Sequence, residues 1–314
     1  LQMLIKESTK RENTTVFIQY ATLSEIYAAF MIDQWLLQKA FPNTKICMVL
    51  RYDPEHLENR FGNGERLSKL KTSDSFRLFT DSDQLTNSYK EKFSDLNIST
   101  LPVPVYTRGS KKSFYGPVKR QLNVGFLGAT RKEKGFEHLP KILKNIQKTS
   151  FEPNYIPNFC IQINSACEAE LSKTVAELNS YAHEQENSQN SVEILNGPLN
   201  VDEYLTALEK IDVMLLPYIS TKYLRSTSGL FVEALQNQII VVCAEDTWSG
   251  DIIKDASSNH LRIGECFKSL EQIPSLVKKI TSNYLRYQED ISTYLNLHSD
   301  DNSARLIAEK ISQH

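Results

Sequence analysis

Residues 211–244 read IDVMLLPYISTKYLRSTSGLFVEALQNQIIVVCA, and this stretch decides the fold. Two apolar, strand-like runs, Val213–Leu216 and Ile239–Cys243, flank a polar loop and a short helix beginning near Ser228. Such a unit sets a hydroxyl-rich helix N-terminus at the C-terminal edge of a parallel sheet. Open α/β sheets bind their ligands at that edge. Free N–H groups at a helix N-terminus favour phosphate there. The segment therefore reads as a grip on the diphosphate and ribose of a nucleotide-linked substrate.

The same alternation fills most of the chain. Strands are expected at Asn123–Leu127, Phe159–Asn164 and Val192–Leu195, with helices at about 138–148, 168–182 and Val201–Lys210. With the opening stretch they make a complete doubly wound sheet, whose last expected strand is Ile239–Cys243. Upstream, Thr15–Tyr20, Lys45–Tyr52, Phe76–Thr80 and Ile98–Val103 read as strands. An amphipathic helix runs from Ser24 to about Ala40, and Ser82 caps another that ends near Phe93. The unbroken apolar run of Lys45–Tyr52 implies a strand buried on both faces. Four strands are few for a matched Rossmann-like half, so further βα units are expected before Leu1.

The fold class is α/β, with two Rossmann-like, doubly wound parallel sheets and C-terminal helices. Residues 1–105 form an apparently truncated N-terminal domain, 106–121 a Pro/Gly/Lys-rich linker, 122–282 the C-terminal domain and 283–314 terminal helices. Trp248 is placed in a loop, with packing as its default role.

Composition narrows the function classes. A net charge of −2 argues against a nucleic-acid binder held by phosphate neutralisation. No apolar run approaches the roughly 18–20 residues of a membrane span. The odd count of five cysteines, with no C-x-x-C pair, points to reduced thiols in a cytoplasmic protein. The six histidines lack the spacing of a triad or metal site and read as surface residues. No strand is followed by G-x-G-x-x-G with an acidic residue about 20 positions on, which argues against a Rossmann dehydrogenase.

Two constellations carry candidate chemistry. After the strand at Asn123–Leu127 comes GATRKEKG, where Gly128 allows close backbone approach and Thr130, Arg131 and Lys134 surround a phosphate-sized turn. An ordinary βα turn with solvated charges has the same letters. The second comprises Tyr218, Arg225, Ser226, Thr227, Ser228, Gly229, Leu230 and Glu233. Arg225 suits a phosphate fork, and the hydroxyls suit a helix cap or a ligand. Glu233 stands among Phe231, Val232, Ala234 and Leu235, so its carboxylate needs a hydrogen-bonding partner, which a ribose diol would supply. On the first domain, Thr22, Arg51, Asp53 and Asp81 follow strand ends and are acceptor-side candidates.

The segments VGFLGATRKEKGFEHLPKIL and DVMLLPY…YLRSTSGLFVEAL…VVCAEDTW resemble the donor-binding domain of GT-B glycosyltransferases, specifically the retaining group 1, family 4-like set. Gly128 and Lys134-Gly135 keep that family's spacing, while Ala129 stands where the family has Arg, a role transferred here to Arg131. Glu233 matches the second Glu of its Glu-x7-Glu motif, and Arg225 replaces the first. FIQYATLSEIYAAF, MVLRYDP and LFTDSDQL resemble later βα units of the acceptor domain.

The resemblance implies that both sheets face one cleft and that a sugar passes from a nucleoside diphosphate sugar to an acceptor with retention, in glycan biosynthesis. It assigns catalysis to Arg225, Lys134 and Arg131, and donor binding to Gly128, Thr130, Tyr218, Ser226, Thr227, Ser228, Gly229, Leu230 and Glu233. It implies no cofactor and no metal; Asp81-Ser82-Asp83 reads instead as a helix cap. The acceptor is a glycan, a lipid-linked glycan or a protein. The basic linker cluster of Arg108, Lys111, Lys112, Lys119 and Arg120 suits peripheral membrane contact and plain solvation equally. The alternative is a non-catalytic GT-B module that binds a nucleotide sugar or a partner protein.

Overall fold

The computed structural model describes residues 14–19, 23–34, 44–55, 72–101, 103, 121–151, 156–164, 169–185, 191–218, 223–298 and 300–312. Linker residues 106–120, Thr22, Trp35, His56, Cys167, His314 and the helix segment 35–40 lie outside the described residues, while Gln121, expected in the linker, opens the first strand of the second sheet. The chain divides into two compact units. The first is Leu1–Pro104 with Arg225–Thr227 and Asp301–His314, and the second is Val105–Leu224 with Ser228–Asp300.

In the first unit, β1 (Thr14–Ile18), β2 (Thr44–Leu50), β3 (Phe76–Thr80) and β4 (Ile98–Thr100) form a parallel sheet in sequence order. Helices α1 (Leu23–Ile32) and α2 (Asp83–Lys92) cross between strands. Right-handed crossovers that always step the same way put their helices on one face. There Ile46, Met48, Leu50, Phe76 and Leu78 pack with Ile26, Ala29, Leu85 and Tyr89. The opposite face presents Cys47, Val49 and Phe79, the alternate residues of β2 and β3. Ile307 and Ile311 of the C-terminal helix cover it. Both faces of β2 are thus buried, as its apolar run requires. Ser82 caps α2, its hydroxyl accepting from the Leu85 amide at 3.2 Å.

In the second unit, strands β5 (Gln121–Phe126), β6 (Ile156–Ile163), β7 (Val192–Asn196), β8 (Val213–Leu216), β9 (Ile240–Ala244) and β10 (Gly264–Phe267) form a parallel sheet in the order β10-β9-β8-β5-β6-β7. This is the doubly wound arrangement, and its order reverses between β5 and β8. The helices between its strands are α3 (Leu139–Lys148), α4 (Ser172–Gln185), α5 (Val201–Lys210), α6 (Gly229–Gln236) and α7 (Trp248–Ser258). Then come α8 (Ile273–Thr281), α9 (Tyr284–Leu297) and α10 (Asp300–Ser312). Among the described residues, no helix is long and apolar enough to cross a membrane.

Two expectations are corrected. Trp248 is not in a loop: it opens α7, whose N-cap Thr247 accepts from the Gly250 amide. Its ring meets Phe231 edge-on at 5.6 Å and is buried. The sheet also continues past Cys243 into β10. GECF is too short and too mixed for a strand signal, and pairing with β9 supplies what local sequence lacks. We expect Trp248→Ala to destabilise the chain by about 3–5 kcal/mol, the cost of an emptied aromatic site. Urea unfolding monitored by far-UV dichroism measures it, whereas a loop tryptophan would cost little.

Candidate functional site

The loops after β5 and β8 meet where the strand order reverses. Leaving β5, the chain turns at Gly128, whose φ is +99°. Its amide donates to Gln162 Oε1 on β6 at 2.8 Å. A Cβ at Gly128 would stand 3.1 Å from Lys134 Nζ and 3.9 Å from Leu230 Cδ2 of α6. The ammonium therefore lies over a bare backbone, beside the first turn of α6. Thr130 is buried, and its hydroxyl accepts from the Asn164 amide at 2.8 Å, fixing the loop to the end of β6. Gly135 has φ +71°, and a Cβ there would fall 2.0 Å from the Pro217 carbonyl oxygen. No side chain fits where this loop crosses the end of β8.

Lys134 Nζ also stands 5.8 Å from the ring centroid of Tyr218. The Tyr218 ring packs on Tyr223, their centroids 4.3 Å apart. Burial pushes the Tyr218 phenol well above its ordinary range and that of Tyr223 up to about 12. Both rings stay neutral at physiological pH. Ser228 is the N-cap of α6, accepting from the Phe231 amide at 3.2 Å. Gly229 follows, exposed, and Leu230 is half-buried. The outcome is a cation, a helix N-terminus and a glycine backbone together, which is an anion-binding arrangement.

Other expected residues are placed differently. Arg131 is half-exposed and pairs with Glu133 at 3.6 Å. Glu233 does need a partner, but the protein supplies one: the Tyr204 hydroxyl of α5 donates to its Oε2. Sequence reading missed Tyr204, whose only signal was an aromatic in an otherwise polar turn, VDEYLTALEK.

Arg225–Thr227 cluster with the first unit, where they meet the acceptor-side candidates. Arg225 Nη1 donates to Asp53 Oδ2 at 2.8 Å, and that bond raises the arginine's already high pKa. Its carbonyl accepts from the Ser82 hydroxyl at 2.7 Å. The Thr227 hydroxyl donates to Asp81 Oδ2 at 2.6 Å, and Arg51 Nε stands 3.5 Å from the same oxygen. Asp81 Oδ1 is buried without a hydrogen bond. Ser226, between them, is half-buried.

Neither a family model nor a curated protein sequence matches the chain. Solved structures do. A trehalose-6-phosphate structure from E. coli bound with UDP-2-fluoro glucose aligns at TM-score 0.66 and 9% identity, over 99% of this chain and 77% of that one. A UDP-forming α,α-trehalose-phosphate synthase from Burkholderia xenovorans in complex with glucose-6-phosphate gives 0.67 and 10%, over 99% and 74%. The N-terminal domain of a Candida albicans trehalose-6-phosphate phosphatase gives 0.63 and 13%, over 99% and 72%. The chain has the GT-B fold. At these identities the likeness is one of backbone.

Burial raises the Asp81 pKa above 3.8, against the opposing pull of Thr227 and Arg51. A raised folded pKa means the native state holds the proton more tightly. The stabilisation is full below 3.8 and is lost as pH rises through the higher folded value. In urea titrations, Asp81→Asn should therefore gain stability relative to the parent as pH rises from about 3.8 to neutrality. A difference that stays flat over that window contradicts the assignment.

Proposed function

We propose that the chain is a GT-B glycosyltransferase that takes a sugar from a nucleoside diphosphate sugar and transfers it with retention. The observation that supports this best is the meeting of Gly128, Lys134 and the Ser228-capped N-terminus of α6 at the strand-order reversal. In this reading the diphosphate lies against the Gly128 backbone, with Lys134 as counter-charge. As the glycosidic bond breaks, negative charge grows on the leaving diphosphate. A preorganised ammonium and helix terminus meet that charge without reorganising, and no metal takes part. Glu233, oriented by Tyr204, accepts from the ribose hydroxyls. Arg51, Asp53 and Asp81 serve the acceptor, and Arg225 positions Asp53.

Within the retaining GT-B class, the spacing of Gly128, Lys134-Gly135 and Glu233 supports a family 4-like donor loop. The solved structures make a UDP-sugar the first donor to test and a sugar phosphate the first acceptor. Arg225 supports a second reading, a non-catalytic module, because the guanidinium in the first-Glu position is engaged by Asp53.

Thermal-shift titration with UDP- and GDP-sugars tests both readings, since a ligand of the native state raises Tm. We expect Lys134→Ala to weaken nucleotide-sugar binding by about 10–100-fold, the worth of one charge-assisted bond at ~1.5–3 kcal/mol. Stabilisation by none of these ligands would overturn the enzyme and the nucleotide-sugar-binding module alike, leaving only a module that binds a partner protein. Slow release of free sugar from the bound donor, with the α or β form read by NMR at first appearance, separates the enzyme from the module. Binding without any turnover favours the module.

A further inference from the structure

The first unit holds a cavity at the N-terminal edge of β3 and β4, the opposite end of the sheet from Asp81. It measures ≈ 160 Å³ and is lined by Thr72, Ser73, Asp74, Arg77, Asn97 and Ser99 among others. Arg77, the second residue of β3, is 7% exposed. A guanidinium keeps its charge even when buried, so it needs a counter-charge or a full set of acceptors. Nη1 donates to the Ile311 carbonyl near the end of α10 at 2.9 Å. That carbonyl carries part of the helix's negative end and offsets some of the charge. Nη2 is buried with no hydrogen-bond partner. Among the described residues, no carboxylate forms an ion pair with Arg77 within 4.0 Å.

Around this cation the walls are mixed, with Leu78 and Phe79 supplying apolar surface beside the polar residues. Ser73 and Thr72 are engaged locally: the Ser73 hydroxyl donates to Asp33, and Thr72 Oγ1 accepts from the Asn97 amide. The Asn97 side chain and the Ser99 hydroxyl remain to donate into the space. Asp74 is exposed, so water and salt screen its charge. The volume is close to the roughly 150 Å³ that admits a benzene-sized guest, and well short of the about 300–1,000 Å³ of nucleotide or drug sites.

We propose that this cavity binds a small oxyanion of phosphate size, with Arg77 as its counter-charge and Asn97 and Ser99 as neutral donors. Because Arg77 also holds the Ile311 carbonyl, the anion and the end of α10 share one guanidinium. Occupancy of the cavity and seating of α10 are thereby linked.

The test uses inorganic phosphate and the full chain carrying Lys134→Ala, which removes the cation of the donor loops as a competing site. Isothermal titration should show one saturable site, displaced by sulfate, with a matching rise in Tm. Ser99→Leu, which fills the cavity and leaves Arg77 in place, should weaken phosphate by about tenfold or more. Arg77→Met should do the same and also lower the Tm without phosphate. If Arg77→Met does not fold, Ser99→Leu decides alone. Absence of binding in the parent, or affinity unchanged by Ser99→Leu, overturns the proposal. Neither outcome touches the donor-loop reading, whose test uses nucleotide sugars.

Discussion

Gly135 has no room for a side chain: a Cβ would stand 2.0 Å from the Pro217 carbonyl oxygen. That close approach fixes the loop after β5 against the end of β8, the two strands between which the sheet order reverses. Much of the candidate site follows from it. With Gly135 pinned at positive φ, the preceding turn carries Lys134 back over Gly128, and its ammonium reaches the Tyr218 ring. Leu230, in the first turn of the Ser228-capped α6, flanks Gly128 as well. A single backbone contact thus aligns a cation, a glycine turn and a helix N-terminus.

The two constellations differ in electrostatic character. Around Gly128 the Lys134 ammonium lies near two tyrosines that burial holds protonated. Around Asp81 the charges are matched within the first unit: Arg51 with Asp81, and Arg225 with Asp53. An ordered ammonium beside a helix N-terminus suits an anionic ligand, while matched pairs favour a neutral, hydroxyl-rich one. Glu233 illustrates the same economy of partners. Its burial did demand a hydrogen-bond donor, and α5 provides one in Tyr204, which orients the carboxylate before any ligand arrives.

Much of the architecture was legible along the chain because period and burial are local signals. The apolar runs of β2, β8 and β9, the Ser82 and Ser228 caps and the Gly128 turn all announce themselves within a few residues. Trp248 and GECF did not. An aromatic after a polar turn looks like a loop until Phe231 is there to pack on it. A short mixed strand is a strand only because β9 already lies beside it.

By itself the sequence determined two α/β units, their order of elements and the glycine- and serine-marked turns at the strand ends. These depend on hydrophobic period and on backbone preferences that each residue carries with it. Tertiary structure alone decided who meets whom. It gave Glu233 to Tyr204 and Arg225 to Asp53, turned Arg131 to solvent and left Arg77 with an unpaired N–H. Side-chain partners lie tens to hundreds of positions apart, and only packing brings them within the few ångströms over which hydrogen bonds and ion pairs act.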